Sequence, residues 1–570
     1  MEDRLRRMEE AYRRIEEANK KIQGQYDGLL KKYEELNGQL KSARGDEPGR
    51  ASSATTRPAS RVGAVEYQEP PGRAVSEGIG AQGMGGRTAP GGPSGFGAEG
   101  IEARGVFREG GGLPPTTATG GGSPSAPAGV SRRAAEGIGA RGTGGRTYPT
   151  ETVSRGEEKV PRRLGKVEFA EGLEISSADD EFKLTFHNLT QAEYRAFPTS
   201  EEGLLHSQFF IPRERWYFTG RVTRNVEFYT VINRGYGSLD VLDAFISYRI
   251  DERLQFRIGR MKTPYLYEFF SIAEGDLIAP ERSIYGANMS ANRQIGAMAL
   301  GELYEGRLGY AAGIFNGPRN SFQDYNGAKD FIGYVNSRPF LKSERFKALN
   351  YLNLGGSFDV GYQNNPTEPN ILTTANDETS ASNNAVVESL SPTFLAFNNN
   401  VVEQGERTQW AGHMVWFCKS LMVFAEYGGG VAGYALSNSK TSTYIPYNGY
   451  MVQASYFLTG EELTRRVNVV KPRRDFSFAK GKWAPGAWEV HARYSELDFS
   501  KEIFTAGFAD PNLWSNHAWA TDVGVNWYLN FYTRVFLDWQ HSEFGNPVVI
   551  APNRFGPTRD LFWFRFQVFF

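Results

Sequence analysis

From about residue 166 to the C-terminus, the chain consists of short segments in which apolar and polar side chains alternate with a period of two. In the last segment, Phe564, Phe566 and Val568 share one parity, whereas Arg565 and Gln567 lie on the other. Because successive side chains of a β-strand point to opposite faces, the alternation predicts strands with one apolar and one polar face. The apolar parity is rich in aromatic residues, which favours a face turned to lipid over the core of a soluble sandwich.

About sixteen such segments follow one another, separated alternately by short turns and long polar loops, as in single-chain barrels of the outer membrane. No run of eighteen apolar residues is present, so the sequence predicts no transmembrane helix and leaves a closed barrel as the spanning element. A barrel of this size leaves an aqueous channel, whereas eight strands would be filled by their own side chains. We therefore predict an all-β fold over residues 166–570, a 16-stranded antiparallel transmembrane β-barrel.

Two connections between the predicted strands are unusual. The longest, from Gln363 to Arg407, is rich in Asn, Ser, Thr and Glu, which is typical of a solvated outer loop. The segment from Tyr267 to Asn292 starts with an apolar stretch that a solvated loop would not need, so we predict that it folds into the lumen as a constriction. Its charged residues are Glu268, Glu274, Asp276, Glu281 and Arg282. With four acids against one base, the constriction by itself would weaken or reverse a preference for anions.

The strand parity assigned to the lumen carries nine basic residues against the four acids Asp243, Glu489, Asp522 and Asp538. Rings of Arg or Lys favour anions in a pore, so this excess predicts an anion preference. For any one arginine, an ion pair within the barrel wall is the alternative interpretation. The predicted pore-lining basic residues are Lys183, Arg213, Arg215, Arg221, Arg249, Arg257, Arg493, Arg534 and Arg565.

Residues 1–42 have the heptad pattern of an α-helical coiled coil, with apolar residues such as Ile15, Ile22 and Leu29 at d positions. Asn19 is a single polar residue at an a position, the kind that fixes register. The pattern predicts self-association in the periplasm and leaves the number of strands open, although a trimer would match a trimeric pore. An amphipathic helix that lies on a membrane or packs on another domain is the alternative.

Residues 43–165 are dominated by Gly, Pro, Ala, Ser, Thr and Arg, a composition that predicts a disordered linker. The linker contains a duplicated segment, at Glu77–Thr88 and at Glu136–Thr147, and each copy includes GxGxxG. A dinucleotide site needs a strand before this motif and a helix after it, and neither is predicted. The Arg-Gly pairs lack interleaved aromatic residues, so we predict no nucleic-acid partner.

Other features limit the function classes. The six histidines form no HExxH motif, and neither a GxSxG elbow nor a Walker loop occurs, so we predict neither an enzyme nor a metal or cofactor site. A single cysteine, Cys418, rules out an intrachain disulfide framework. The first residues are charged and show no apolar core of a signal peptide, which conflicts with export. We give the barrel pattern precedence over this observation.

Residues 182–570 resemble the phosphate-selective porin O and P family. The resemblance lies in FRIGRMKTPYLYE at Phe256 to Glu268, APERSIYG at Ala279 to Gly286, YFLTGE at Tyr456 to Glu461, WEVHARYSELDF at Trp488 to Phe499 and GVNWYLN at Gly524 to Asn530. It implies a homotrimer of sixteen-stranded barrels in the cell outer membrane, with an inward third loop and selectivity for small anions such as phosphate or pyrophosphate. The family's arginine ladder does not align residue by residue with this sequence.

Two functions follow as hypotheses. The first is a porin for passive diffusion of small solutes, surrounded by outer-membrane lipid, with the N-terminal region in the periplasm. The second is a structural anchor in which the N-terminal rod links the outer membrane to the cell wall or to a periplasmic partner.

Overall fold

The structure, a computed structural model, describes residues 164–169, 172–198, 205–236, 238–375, 390–466 and 470–570. The predicted coiled coil over residues 1–42 and residues 43–163 of the predicted linker lie outside the described residues. Both assignments therefore stay predictions.

The described residues form twenty strands, almost all in one antiparallel sheet. In chain order they are β1 (Leu164–Phe169), β2 (Leu173–Ser177), β3 (Lys183–Ala196), β4 (Gln208–Thr223), β5 (Val226–Gly235), β6 (Ser238–Asp251), β7 (Leu254–Lys262), β8 (Arg293–Leu303), β9 (Leu308–Phe315), β10 (Asp330–Ser337), β11 (Tyr351–Pro366), β12 (Ile371–Thr373), β13 (Thr393–Ala396), β14 (Val401–Cys418), β15 (Leu421–Leu436), β16 (Thr443–Phe457), β17 (Ala487–Phe499), β18 (His517–Tyr528), β19 (Thr533–Ala551) and β20 (Arg554–Phe569).

Strands β3 to β11 and β14 to β20 form a closed barrel of sixteen antiparallel strands within the described part of the chain. The barrel closes where β20 pairs with β3, from Phe562 opposite Ala196 to Phe569 opposite Leu189. Each of these sixteen strands is paired on both sides, so the barrel itself has no open edge in the membrane. The predicted fold class and strand number of the barrel are confirmed.

A short hairpin precedes the barrel. Strand β2 pairs with the start of β3, from Leu173 opposite Phe186 to Ser176 opposite Lys183, and β1 pairs with β2. The backbone of Phe570 pairs with Asn188 on the same edge of β3. The hairpin therefore continues the wall directly beyond the C-terminal strand.

The predicted alternation corresponds to the two faces of the wall. On β20, Phe562 and Phe564 are 47% and 46% exposed on the outer face, whereas Arg565 and Gln567 are buried on the inner face. The outer face thus presents apolar side chains to lipid, and the inner face carries the polar ones.

The connections differ between the two ends of the barrel. Short turns such as 224–225, 252–253 and 419–420 lie at the end that holds Phe570, which we call the turn end. The opposite, loop end holds residues 263–292, which we call the inward loop, and residues 367–400, which we call the outer loop. The longest connection at the turn end comprises residues 458–486, which join β16 to β17 and which we call the turn-end segment.

The prediction of a solvated loop from Gln363 to Arg407 was wrong in two respects. Strand β11 continues to Pro366 and β14 begins at Val401, because the two strands stay paired up to Pro366 opposite Val402. The outer loop between them contains the hairpin β12–β13, in which Leu372, Phe394 and Leu395 are buried. The polar composition concealed a small apolar core that folds back over the lumen.

Helices are few and short in the described residues. Helix α1 (Tyr267–Phe270) and helix α2 (Ile284–Met289) belong to the inward loop, with a 3-10 turn at Glu274–Asp276 between them. Helix α3 (Glu502–Thr505) lies in the loop between β17 and β18, and a second 3-10 turn spans Lys347–Leu349. Among the helices of the described residues, none has the length and apolar character needed to cross a membrane.

Candidate functional site: the inward loop and its wall contacts

The inward loop crosses the interior of the barrel, as predicted for Tyr267 to Asn292. Residues 263–292 are all buried except Ser271, which is partly exposed. On one side, the backbone amide of Leu266 donates to Ser357 Oγ of β11 at 3.1 Å. On another, the amide of Ile284 donates to Ser495 Oγ of β17 at 3.3 Å. The loop therefore spans between distant parts of the wall.

Glu268 connects the two helices of the loop. Its carboxylate accepts the backbone amide of Ser283 at 2.9 Å and the Ser283 hydroxyl at 2.5 Å. Ser283 is also the N-cap of α2, because its Oγ accepts the amide of Gly286 at 2.9 Å. A Cβ atom at Gly286 would lie 1.9 Å from Glu268 Oε2, so a side chain at this position would break the connection. Within the motif APERSIYG, Ser283 thus caps the N-terminus of α2, and Gly286 leaves the space that the Glu268 carboxylate occupies.

The acid Glu281 fastens the middle of the loop to the wall. Its carboxylate lies 2.6 Å from Arg213 Nη2 of β4, 2.5 Å from Arg565 Nη2 of β20 and 3.6 Å from Arg195 Nη2 of β3. Burial alone raises the pKa of Glu281, but the charges of Arg213, Arg565 and Arg195 outweigh it and lower the pKa to about 2. Glu281 is therefore ionised throughout the physiological pH range.

Glu274 forms a second anchor. It lies 2.8 Å from Arg215 Nη1 of β4, 3.3 Å from Arg293 Nη2 of β8 and 3.4 Å from Lys262 Nζ of β7, and it also pairs with Arg282 of the loop at 3.3 Å. Burial raises the pKa of this carboxyl, and the surrounding positive charges hold it well below its usual range. Four basic groups thus share one loop carboxylate.

The 3-10 turn between the helices is held through its backbone. Arg534 Nη2 of β19 donates to the carbonyl oxygen of Leu277 at 2.7 Å. Arg466, from the turn-end segment, donates through Nε to the carbonyl oxygen of Asp276 at 2.9 Å and pairs with Glu489 of β17. The inward loop is therefore held both by strands of the barrel wall and by the turn-end segment.

A glycine-rich patch of the wall receives the ring of Tyr285. A Cβ atom at Gly449 of β16 would lie 2.5 Å from Tyr285 Cδ2, and one at Gly428 of β15 would lie 2.2 Å from Tyr285 Oη. The ring thus occupies space that side chains at these two positions would fill.

The outer loop lies against the inward loop. Asn288 of α2 donates through Nδ2 to the carbonyl oxygen of Thr373 at 2.8 Å and accepts the Thr373 amide through Oδ1 at 3.1 Å. Arg195 of β3 donates to the carbonyl oxygens of Ala375 at 3.1 Å and Leu390 at 2.8 Å. The two loops therefore form one assembly within the loop end of the barrel.

A charged cluster lies beside this assembly. Arg407 of β14 pairs with Asp330 of β10, and it lies 3.6 Å from Asp359 of β11 and 3.5 Å from Glu403. Arg407 and Glu403 line a small cavity of about 20 Å³, together with Arg319, whose guanidinium donates to the backbone oxygen of Asn288. Arg407 is therefore the cation that the three buried acids share as an ion-pair partner, with Arg319 close by.

The nine predicted basic residues all lie on the inner parity of their strands, but the structure separates them into two groups. Arg213, Arg215, Arg493, Arg534 and Arg565 are buried against the inward loop. Nearer the turn end lie Lys183, Arg221, Arg249 and Arg257.

The basic residues near the turn end are also held by neighbours. Lys183 pairs with Glu174 at 2.6 Å, Arg221 with Asp180 at 2.6 Å and Arg249 with Glu227 at 3.3 Å. Arg257 donates through Nε to Ser247 Oγ at 3.2 Å, and its guanidinium lies 4.6 Å from the centroid of the Phe245 ring. Their placement on the inner face agrees with the parity, and their part in permeation stays a prediction.

The acids of the inward loop are buried, and they are neutralised by basic residues of the wall as well as by Arg282. Within the described part of the chain, the buried charged side chains number sixteen basic and fifteen acidic. Glu268, for example, lies 3.6 Å from Arg493, which also pairs with Asp522 at 2.9 Å. The wall arginines therefore neutralise the loop, and neither the acidic loop nor the basic wall acts as an isolated ring of charge.

Sequence reasoning missed several residues of this site. Arg195 shares the inner parity of β3 with Lys183, and Lys262 and Arg293 flank the inward loop at the ends of β7 and β8, so period and position could have indicated them. Arg466 lies in an irregular connection, where no periodicity marks a lumen residue. Glu426 of β15 accepts the amide of Glu268 at 3.1 Å, and only the folded path of the loop reveals this contact.

Several outer-membrane proteins of known structure resemble this chain at low sequence identity. No curated protein sequence matches the chain at a significant level. Among solved structures, an anion-selective porin from Comamonas acidovorans matches with 12% identity and a TM-score of 0.41, over 68% of this chain and 100% of that one. OmpF of Salmonella typhi in complex with daunomycin matches with 13% identity and a TM-score of 0.41, over 71% and 100% of the two chains. OmpT of Vibrio cholerae matches with 9% identity and a TM-score of 0.40, over 71% and 100%.

The family comparison covers most of the barrel. The family model described as phosphate-selective porin O and P matches residues 182–543, from the residue before β3 into β19, and so includes the inward loop with its wall contacts. With its sixteen-stranded barrel and this match, the chain belongs to the phosphate-selective porin O and P family of outer-membrane channels.

Proposed function

We propose that the protein is an outer-membrane pore through which small solutes diffuse passively, with a weak preference for anions. The observation that supports this most directly is a closed sixteen-stranded barrel with a polar, charged interior and an inward loop held by ion pairs. A lumen of this kind carries water and ions, because its walls replace part of the hydration that a solute loses.

The near balance of buried charge supports a modest selectivity. Since sixteen basic and fifteen acidic side chains are buried, the interior offers a permeating ion little net charge. We assign the turn-end mouth to a cleft of about 490 Å³ that is lined by Arg465, Lys471 and Arg473 together with Glu461 and Glu462. These groups leave one net positive charge at the mouth, the same small excess as in the interior.

Phosphate or pyrophosphate as the preferred solute is a finer proposal, which rests on family membership. The turn end would face the periplasm, and three copies would assemble in the membrane. The coiled coil over residues 1–42 and the linker over residues 43–165 would extend from that side, where the alternative role of a structural anchor also belongs.

Planar-bilayer recordings of the full chain test the pore. We expect stable open-channel currents and, in a salt gradient, a reversal potential that indicates a modest anion preference. Inorganic phosphate added to a chloride solution should reduce the chloride current if phosphate competes for the same path. A preference for cations would contradict the anion proposal, and a protein that inserts without conducting would favour the anchor.

A pair of charge variants tests the turn-end mouth. In K471A/R473A, the reversal potential should shift towards cations, because two positive charges leave the mouth. The control K440A/K501A removes two positive charges from loops at the other end, outside the barrel interior, and should shift the potential less. Equal shifts in both variants would contradict a specific role for the mouth.

A further inference from the structure

The turn-end segment contains a small hairpin, residues 476–485, which we call the rim hairpin. Ser477 and Ala484 form a β-bridge, with a backbone hydrogen bond of 3.0 Å in each direction. Gly481 has a φ of +74° at the tip, where Lys482 donates its backbone amide to Ala479 at 2.8 Å. The sequence FSFAKGKW at Phe476 to Trp483 thus folds into a defined projection.

The rim hairpin is fixed to the outer side of the barrel. The carbonyl oxygen of Pro485 accepts the indole N–H groups of Trp488 at 2.9 Å and Trp527 at 2.8 Å. The Phe476 ring lies 4.7 Å from the Trp527 ring, in an edge-on arrangement. Trp488 and Trp527 follow the outward parity of β17 and β18, because their neighbours Glu489 and Asn526 are buried on the inner face. The hairpin therefore lies on the lipid side of the wall.

Its height corresponds to one boundary of the membrane. On β18, Trp527 is eight positions from Trp519, which stacks with Tyr494 at 5.7 Å in an aromatic band nearer the loop end. For a tilted strand, eight positions span about 20 Å. This is close to the apolar band of about 25 Å between the aromatic girdles of outer-membrane barrels. The rim hairpin thus lies at the level of the lipid headgroups on the turn side.

The tip of the hairpin combines two kinds of exposed side chain. Phe478 and Trp483 are 79% and 67% exposed, and the tip lysines Lys480 and Lys482 lie between them in sequence and are also exposed. Aromatic rings are favoured at the membrane interface, and lysine ammonium groups interact with anionic phosphates there. An exposed pair of aromatic side chains with two adjacent cations fits a lipid surface in both shape and charge.

We propose that the rim hairpin is a binding site for the headgroups of acidic phospholipids in the turn-side leaflet. Phe478 and Trp483 enter the interfacial region, and Lys480 and Lys482 contact the headgroup phosphates. The site anchors the long turn-end segment, whose Arg466 holds the inward loop, to the membrane boundary.

Native mass spectrometry of the full chain in detergent, with phosphatidylglycerol or phosphatidylethanolamine added, tests this site. We expect wild-type protein to bind phosphatidylglycerol more strongly. In K480A/K482A, the affinity for phosphatidylglycerol should fall on the order of five-fold for each lysine removed. The matched control K440A/K501A, with two exposed lysines at the loop end, should bind like wild type. Equal loss in both double variants, or equal binding of both lipids by wild type, would overturn the proposal.

A second measurement tests the aromatic part and excludes a contact between copies. In vesicles of brominated phosphatidylglycerol, the W483F variant should lose a component of tryptophan quenching that wild type shows. Unchanged quenching would contradict an interfacial position of Trp483. If K480A/K482A instead changes the oligomeric mass and leaves lipid binding intact, the hairpin is a contact between copies and the lipid site is wrong. Heat-modifiable migration on gels verifies that each variant is a folded barrel.

Discussion

The carboxylate of Glu281 lies 2.6 Å from Arg213 Nη2, so an acid of the inward loop and a base of strand β4 meet inside the barrel. Both side chains are fully or almost fully buried. Removing one partner of a buried pair leaves a charge without compensation, which costs far more than the pair contributes as a whole. This contact therefore determines where the inward loop lies.

The first prediction concerns this contact. In E281Q, Arg213 and Arg565 lose their shared counter-charge, and we expect the free energy of unfolding in urea to fall by about 3–5 kcal/mol. The loop should also move more, which would increase the noise of the open-channel current. The control E305Q alters an acid whose side chain is 81% exposed and should change neither quantity. A quiet, stable E281Q channel would contradict the anchor.

The second prediction concerns pH. The pKa of Glu281 falls from 4.5 to about 2 on folding, so its contribution to stability is fully present above pH 4.5 and disappears as the pH falls towards 2. The difference in unfolding free energy between wild type and E281Q should be constant from pH 7 to about 5 and shrink below that range. Urea unfolding at several pH values measures it. A difference that grows on acidification would show that the sign is wrong.

The third prediction concerns the glycine patch beneath Tyr285. In G449A, the new Cβ atom would lie 2.5 Å from the Tyr285 ring and 2.8 Å from the carbonyl oxygen of Glu496, so the ring must move. We expect a loss of about 1–3 kcal/mol in unfolding free energy. In a Y285A background the same substitution should cost less than in wild type, because the ring that the new Cβ atom meets is absent. The control G412A, with its nearest contact at 3.8 Å, should behave like wild type.

The barrel was predictable because its signal is periodic. The alternation places Phe564 on the outer face and Arg565 on the inner face of the barrel, independently of the residues that pair with them. Every strand of the barrel shows the same alternation. The path of the inward loop was partly predictable, because apolar residues such as Phe269 and Phe270 would be unfavourable in a solvated loop.

The charge pairs were not predictable from composition or period. Glu274 pairs with Arg215 and Arg293, which are far from it in sequence. A count of charged residues on the lumen side of the strands therefore gave an excess of basic residues, which the acids of the inward loop neutralise in the folded protein. The outer loop was misread for a related reason. Its few apolar residues, such as Phe394 and Leu395, are outnumbered by polar ones and become a core only when they pack inside the barrel.

The fourth prediction concerns the contact between the two loops. In N288A, the outer loop loses both hydrogen bonds between Asn288 and Thr373, a loss of about 2 kcal/mol if each contributes about 1 kcal/mol. We expect larger fluctuations of single-channel current. N288D should be at least as disruptive, since its carboxylate cannot donate and would lie against the carbonyl oxygens of Thr373 and Ile284. The control N398A removes an exposed amide that donates to Gly507 and should leave the current unchanged.

The last prediction concerns Arg407, which faces Asp330, Asp359 and Glu403. In R407M, three buried acids lose their common cation, so the unfolding free energy should fall by about 3–5 kcal/mol. The reversal potential should also shift towards cations, because the entrance to the lumen becomes more negative. R407M/D330N should recover part of both effects, since one uncompensated charge is removed. The control R253M alters an arginine that is 74% exposed in a turn and should leave both measurements unchanged, which separates the local cluster from a general effect of losing an arginine.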